Sequence, residues 1–275
     1  MIRSQIHSLV NPIGGSAAFA YGTKTGESYI TFSVGTQAGG EGYLTKNSSG
    51  SDVTVSVSSG IATFSHPQTD PYLGVGDKVT ISGSVVFYLD GKINSSIWKV
   101  SKADGDAPDD VSGSTVQSID KTFATVNAAI AGPSSGAEGL IGSNDLVSLG
   151  CVLRIALYEM TDSSSFSYIR DWTTDEKHYV RLFTPYDIRS DCNSRQRHLG
   201  LLNGGYDNTV GIASISSYTE FEGISFDVTA PSFNPGLTST GAGSNCKFLY
   251  NVIKTPSSVG ININGDSNVA VGNII

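Results

Sequence analysis

Between positions 187 and 198 the chain places Asp187, Arg189, Asp191, Arg195, Arg197 and His198 close together, its densest charged stretch. A guanidinium presents paired N–H donors that match the oxygens of carboxylates and phosphates, so Arg195 and Arg197 are candidates to clamp an anionic group of a glycan or a phosphate. The competing reading is a solvated loop whose charges pair with one another, each pair contributing little. A second candidate is Trp172, in the loop Asp171-Trp-Thr-Thr-Asp175 flanked by Tyr168 and Tyr179. An exposed indole can stack on the apolar face of a sugar ring; alternatively it packs between the loop and the core. Trp172, Arg195 and Arg197 are therefore the residues that the sequence offers for glycan contact.

Other chemistry is harder to assemble. General acid–base catalysis needs carboxylates on one face. Glu222 and Asp227 lie on or beside one β segment, Phe221-Glu-Gly-Ile-Ser-Phe-Asp-Val228, where their spacing puts them on opposite faces of a single strand. His198 is one of 4 histidines, none at metal-ligand spacing to another or to a cysteine. Cys151, Cys192 and Cys246 form no CxxC and read as small buried residues. Residues 35–42 are glycine-rich but lack the Lys-Ser or Lys-Thr of a phosphate-binding loop, so they read as a mobile loop. No catalytic, metal-binding or cofactor-binding residue is expected.

The elements that would carry these residues are strands. The chain of 275 residues is 39% hydrophobic and 15% charged, with 32 glycines, a profile of many short strands and turns. Its net charge of −8 disfavours a grip on nucleic acid. No apolar run is long enough to span a membrane. Near the C-terminus, Cys246-Lys-Phe-Leu-Tyr-Asn-Val-Ile253 aligns without gaps on Asn268-Val-Ala-Val-Gly-Asn-Ile-Ile275 at an offset of 22 (273 minus 251). Such a period suits one coil of a β-solenoid, in which each coil buries its apolar residues only against its neighbours. Asn251 and Asn273 would stack at one corner and hydrogen-bond along the stack.

The expected fold class is all-β: a small N-terminal antiparallel β domain, then a helix-capped right-handed parallel β-helix with coils near 22 residues. Residues 1–27 read as an N-terminal arm. The run Arg3 to Ala20 is broken by Asn11, Pro12, Gly14 and Gly15, which argues against a signal peptide. Residues 28–113 read as a small sandwich or barrel with a hairpin at Asp90-Gly91. Residues 114–275 form the parallel stack. Its cap is a helix starting at Ser118, with Ile119, Phe123, Val126 and Ile130 on one stripe, and Gly132 and Pro133 ending it. The stack ends inside a coil at Ile275, so a C-terminal cap is expected to be lacking and the open edge to need a cover.

The Ser118-Ile119…Phe123 segment, followed by Gly223-Ile-Ser-Phe and Tyr250-Asn-Val-Ile, resembles the right-handed parallel β-helix proteins of the pectate-lyase-like superfamily, which includes bacteriophage tailspikes and other virion-surface proteins. Val75-Gly-Asp-Lys-Val79 with Trp98-Lys-Val is similar to the N-terminal part of phage and environmental-bacterial β-helix proteins. The likeness covers roughly residues 72–275 and concerns fold more than chemistry. It implies a virion structural protein, a tailspike, fibre or decoration subunit, assembled in the host cytoplasm and standing on the virion surface. Its partners would be itself, as a homotrimer, or other virion proteins, and host-surface polysaccharide. The alternatives are a carbohydrate-active enzyme, a polysaccharide lyase or glycosidase, and a secreted adhesin at the cell surface. The strand faces carry few acidic groups, which favours binding over turnover.

Overall fold

The computed structural model describes residues 28–36, 45–130, 135–202, 204–228, 236–240, 243–255 and 260–275. The expected N-terminal arm, residues 37–42 of the glycine-rich loop, and the helix stop at Gly132 and Pro133 lie outside them.

The described chain is all-β with little helix. Strand β1 (Ser28–Val34) comes first. Six strands follow: β2 (Thr54–Ser58), β3 (Ile61–Phe64), β4 (Lys78–Ile81), β5 (Val85–Lys92), β6 (Ile97–Ser101) and β7 (Val111–Asp120). They close an antiparallel barrel in the order β2-β3-β6-β5-β4-β7. Alternation dictates its core: Val55 and Val57, Val79 and Ile81, Phe87 and Leu89, and Trp98 all point inward and are buried. Three short helices, α1 (Val126–Ala129), α2 (Gly136–Ile141) and α3 (Leu146–Leu149), lead to the parallel part.

There the chain visits three sheets in a fixed cyclic order. Strands β8 (Cys151–Leu157), β9 (Met160–Asp162) and β10 (Ser167–Ile169) start one strand in each sheet. β11 (Val180–Phe183), β12 (Tyr206–Asn208) and β13 (Ile212–Ser214) lie beside them; β14 (Thr219–Glu222), β15 (Ser225–Asp227) and β16 (Leu237–Ser239) follow. β17 (Lys247–Leu249), β18 (Val252–Lys254), β19 (Ile261–Ile263) and β20 (Val269–Val271) complete the stack. The sheets are β1-β8-β11-β14-β17-β20, β10-β13-β16-β19 and β18-β15-β12-β9, parallel throughout. Register stacks like on like inside: Phe32, Ile155, Leu182, Phe221, Phe248 and Ala270 form one row. Phe221 and Phe248 lie face to face at 5.4 Å between ring centroids.

Several expectations are corrected. β1 joins the parallel sheet beside β8 and does not belong to the barrel, which is inserted between these two neighbours. The helix does not begin at Ser118. Ser118 and Ile119 continue β7, opposite Thr80 and Val79, and Ile119 fills the barrel core. Phe123 exchanges main-chain hydrogen bonds with Ser33 and Gly35, each 3.0 Å, which keeps it extended. Only then does Thr125 cap α1, its hydroxyl accepting from the Ala128 N–H. The later part of the stripe behaves as expected: Phe123, Val126 and Ile130 pack on the core of the stack. Asp90-Gly91 is no hairpin turn. It sits within β5 at a register shift, because the Asp90 carboxylate is engaged by Thr31 and Arg154. The segment 221–228 is two strands, since Gly223 turns a corner at φ +70°. An offset of 22 holds only between the last two coils; Ile224 meets Asn251 at 27.

The corners explain the repeat. Gly223, Tyr250 and Gly272 hold equivalent places before the strands of one sheet, and all are left-handed. The Asn251 amide donates to Asn273 Oδ1 (2.9 Å) and to the Phe221 carbonyl (3.1 Å), and its Oδ1 accepts from the Ile224 N–H (3.0 Å). Asn273 repeats the pattern by donating to the Phe248 carbonyl (2.8 Å). Asn251 is fully buried. Asn251→Leu leaves the Ile224 N–H without its partner in the interior and removes the side-chain bond to the Phe221 carbonyl, at a cost of about 1–3 kcal/mol. Urea unfolding at equilibrium measures this, and a midpoint equal to wild type contradicts the ladder.

Gly76 and Gly83 make a second comparison, since both have positive φ, +88° and +82°. A Cβ on Gly76 would strike the main chain of Phe32 and Ser33, whereas one on Gly83 meets nothing within 4 Å. Gly83→Ala should therefore cost only the left-handed penalty of about 1–2 kcal/mol. Gly76→Ala should cost more than about 3 kcal/mol by separating barrel from stack. Parallel melts of the two variants check the difference; equal shifts count against the close approach.

Candidate functional site

The outer face of the six-stranded sheet carries most of the paired charges of the stack. Strand alternation points Thr31, Arg154, Arg181, Glu220 and Lys247 outward, and register places them in one row across five strands. A second row two residues further on contains Ser33, Ala156, Phe183, Glu222 and Leu249. Charges of opposite sign therefore meet across neighbouring strands. Arg181 pairs with Glu220 at 2.9 Å and also with Glu222. Glu222 is held from the other side by Arg197 at 2.6 Å, and Lys247 approaches Glu220 at 3.7 Å. Burial by itself would raise the Glu222 carboxyl, but the two guanidiniums outweigh it and hold it below the usual carboxylate range.

At one end of the first row the sheet opens into a groove of about 330 Å³. Glu176, Tyr179 and Tyr218 line one part of it, and Asn245, Glu220 and Lys247 another. Its corner is built by repetition. Tyr218, Asn245 and Ser267 occupy equivalent places in three successive coils, and all three are left-handed, with φ of 50°, 57° and 59°. A bulky residue such as Tyr218 adopts this conformation only at an energetic cost, which the repeated corner imposes here as it does at Tyr250. The groove offers aromatic faces, an amide, hydroxyls and fixed charges of both signs. Of the two carboxylates that line it, Glu220 is engaged by Arg181 and Lys247 and Glu176 is exposed.

The residues chosen from the sequence are not gathered there. Trp172 is buried among the core side chains of the stack, so its ring is not available to a sugar, and its main-chain N–H donates to the Ser216 hydroxyl at 3.3 Å. Arg197 spends its charge on Glu222 and lies over the Tyr186 ring at 5.2 Å. Arg195 is exposed and stacks on the same ring at 4.7 Å, outside the groove. Asp227 pairs with Lys254 on the next coil at 3.2 Å and lies in a different sheet from Glu222. The three cysteines are buried free thiols. Among the described residues no three His, Cys, Asp or Glu side chains gather to hold a metal, and no helix is long and apolar enough to cross a membrane. Sequence reasoning missed Arg181, Tyr218, Glu220 and Lys247. The signal for Glu220 and Glu222 was their i, i+2 spacing in Thr219-Glu-Phe-Glu222, which marks one face of a strand. Their partners lie on other coils, at offsets that vary along the stack.

Compared with known protein families, known proteins and solved structures, the chain matches none.

The cluster around Glu222 makes stability depend on acidity. In the unfolded chain this carboxyl titrates near its ordinary value of 4.5, and in the folded protein lower. Its contribution is therefore complete above about pH 4.5 and is lost as the pH falls through the lowered folded value. Glu222→Gln should destabilise the protein at pH 7 by about 3 kcal/mol, because Arg181 and Arg197 lose their shared partner. The gap between variant and wild type should narrow as pH drops below 4.5. Denaturant titrations across pH 3–7 provide the measurement, and a constant gap contradicts the assignment.

Proposed function

We propose that the chain is a right-handed parallel β-helix protein of a bacteriophage virion surface, which binds a host-surface polysaccharide in the groove beside Tyr218 and Lys247 without cleaving it. The observation that carries the binding part is the groove itself, with two tyrosines, Asn245 and paired charges on the face of a continuous parallel sheet. Repeating polymers suit repeating surfaces, because successive coils offer equivalent corners to successive sugar units. Ion pairing of Glu220, a carboxylate of the groove, with Arg181 and Lys247 supports binding over turnover. The virion setting rests on the resemblance of the Gly223-Ile-Ser-Phe and Tyr250-Asn-Val-Ile corners to the pectate-lyase-like superfamily, which includes virion-surface proteins, and of Val75-Gly-Asp-Lys-Val79 to phage and environmental-bacterial β-helix proteins. Association into a homotrimer belongs to the same reading, supported by Val269, Val271 and Ile263 standing exposed on the last coils.

The test is a panel of bacterial capsular polysaccharides followed by calorimetry and product analysis. At least one polysaccharide should bind and accumulate no new reducing ends or unsaturated products. Tyr218→Ala and Lys247→Ala should each weaken that affinity by about 10-fold, close to 1.4 kcal/mol. Steady release of oligosaccharides overturns the reading in favour of an enzyme. Binding that ignores both substitutions places the site elsewhere. Sedimentation of the intact chain as a monomer at micromolar concentration removes the trimer.

A further inference from the structure

The turn between β19 and β20 contains the dipeptide Asn264-Gly265. Three other asparagines in turns have clamped side chains. Asn47 Oδ1 accepts from the Ser49 and Ser51 N–H groups at 3.0 and 2.9 Å, Asn94 Oδ1 from Ser96 and Ile97 at 2.8 and 2.9 Å, and Asn208 Oδ1 from Val210 and Gly211 at 3.1 and 2.6 Å. Asn264 is exposed, and its side chain makes one long bond, to Asn262 Oδ1 at 3.3 Å. Its main chain is fixed. The N–H donates to the Ser239 carbonyl and the carbonyl accepts from the Ser239 hydroxyl, both at 3.1 Å. Gly265 follows at φ +117°, where an added Cβ would lie 2.8 Å from the Gly243 carbonyl oxygen. Packing therefore demands glycine, and glycine has no side chain to shield its own nitrogen. The Gly265 N–H donates to no group among the described residues.

A lightly tethered side-chain amide next to an unshielded main-chain nitrogen is the arrangement for an intramolecular acyl transfer. The two reacting atoms belong to adjacent residues, so ring closure replaces a bimolecular encounter. We propose that Asn264 deamidates spontaneously through a cyclic imide formed with Gly265. Hydroxide removes the Gly265 amide proton, and the nitrogen attacks Asn264 Cγ. The Cγ–Nδ2 bond breaks as ammonia leaves with a proton from water. Water then opens the ring. Cleavage of the new N–Cγ bond gives aspartate, and cleavage of the original peptide C–N bond gives isoaspartate, whose main chain runs through Cβ. Nothing is oxidised, and water is the only co-reactant. No ligand or partner is needed, so the reaction does not depend on what the groove binds. The isoaspartyl form lengthens the main chain close to Asn268, whose Oδ1 accepts from the Cys246 N–H at 2.7 Å and whose amide donates to the Gly265 carbonyl at 3.2 Å. Ser267 and Val269 line the groove, so the change falls beside its wall.

Peptide mapping of the folded full chain, aged in mildly alkaline buffer, tests this. The tryptic peptide that follows Lys254 should gain about 1 Da and split into aspartyl and isoaspartyl forms. The isoaspartyl form should accept a methyl group from an isoaspartate-specific methyltransferase. Asn203-Gly204 lies on a different tryptic peptide, so its own conversion is read separately. Asn264→Gln, an exposed substitution whose longer side chain would have to close a larger ring, should keep the peptide unmodified over the same period. A peptide that stays unmodified in the folded chain but converts after unfolding in urea shows that the fold protects Asn264 and overturns the proposal. A peptide unchanged in both states overturns it as well. Aspartate without isoaspartate indicates direct hydrolysis and overturns the cyclic route.

Discussion

The seven-residue parallel pairing of β1 with β8 is the contact on which the rest depends. It joins two strands separated by the whole barrel, so Thr31 and Arg154 meet across 123 positions. A parallel stack has no local hairpins to hold it, and each coil is stable only against the next. β1 supplies the first layer: Ile30, Phe32 and Val34 give Leu153, Ile155 and Leu157 something to bury against. Its other edge, which would otherwise be open, is closed by the Gly76 carbonyl bonding Ser33 and by Phe123 bridging to Val34. Closing that distant contact carries an entropic penalty that only the full row of buried side chains offsets.

Buried charges then orient the barrel on the sheet. Lys121 and Asp77 form an ion pair at 2.8 Å, each side chain only 4% exposed, and the Lys121 ammonium lies 3.1 Å from the centre of the Tyr158 ring. Desolvation pushes Asp77 up and Lys121 down, each opposed by the partner's charge. Such a pair adds little net stability compared with apolar side chains of similar volume, but misplacing either partner is costly, so it selects one arrangement. Arg154 does the same from β8. Its guanidinium bonds the Thr31 hydroxyl and the Asp90 carboxylate, tying β8, β1 and the barrel strand β5 together. The turn from Gly74 to Asp77 fits between these contacts because its glycines let main chain approach main chain.

With the first strands in place, register carries the pattern outward. The charged row from Arg154 to Lys247 exists because parallel pairing keeps equivalent positions in line. The groove follows from the left-handed corners at Tyr218, Asn245 and Ser267, which recur at the same height of the coil. Interior and groove thus arise from one repeat. The inner row excludes water, the corner amides satisfy the main chain, and the outer row presents charge and aromatic faces.

Much of this was legible in the sequence. Alternation in Tyr29-Ile-Thr-Phe-Ser-Val34 marks a strand with Ile30, Phe32 and Val34 on one face, and the 22-residue match of Asn251 to Asn273 marks the corner that the asparagine side chains hold. The buried fate of the cysteines followed from residue type. Of the apolar stripe Ile119, Phe123, Val126 and Ile130, the last three pack on the core of the stack while Ile119 fills the barrel, because burial depends on the side chain and less on the backbone that delivers it. Tertiary structure decided the remainder. Ser118 and Ile119 satisfy a helical pattern, yet pairing with β4 made them strand, since hydrogen bonds to a distant neighbour override a local propensity. Trp172 looked like a sugar platform, but only the stack shows that its ring fills the interior. Arg181, Glu220 and Lys247 are far apart in the chain, and their meeting depends on coil lengths that loops set without a repeating signal. Local pattern determines which face a residue takes; which residues share that face is set by register, and register is a property of the folded stack.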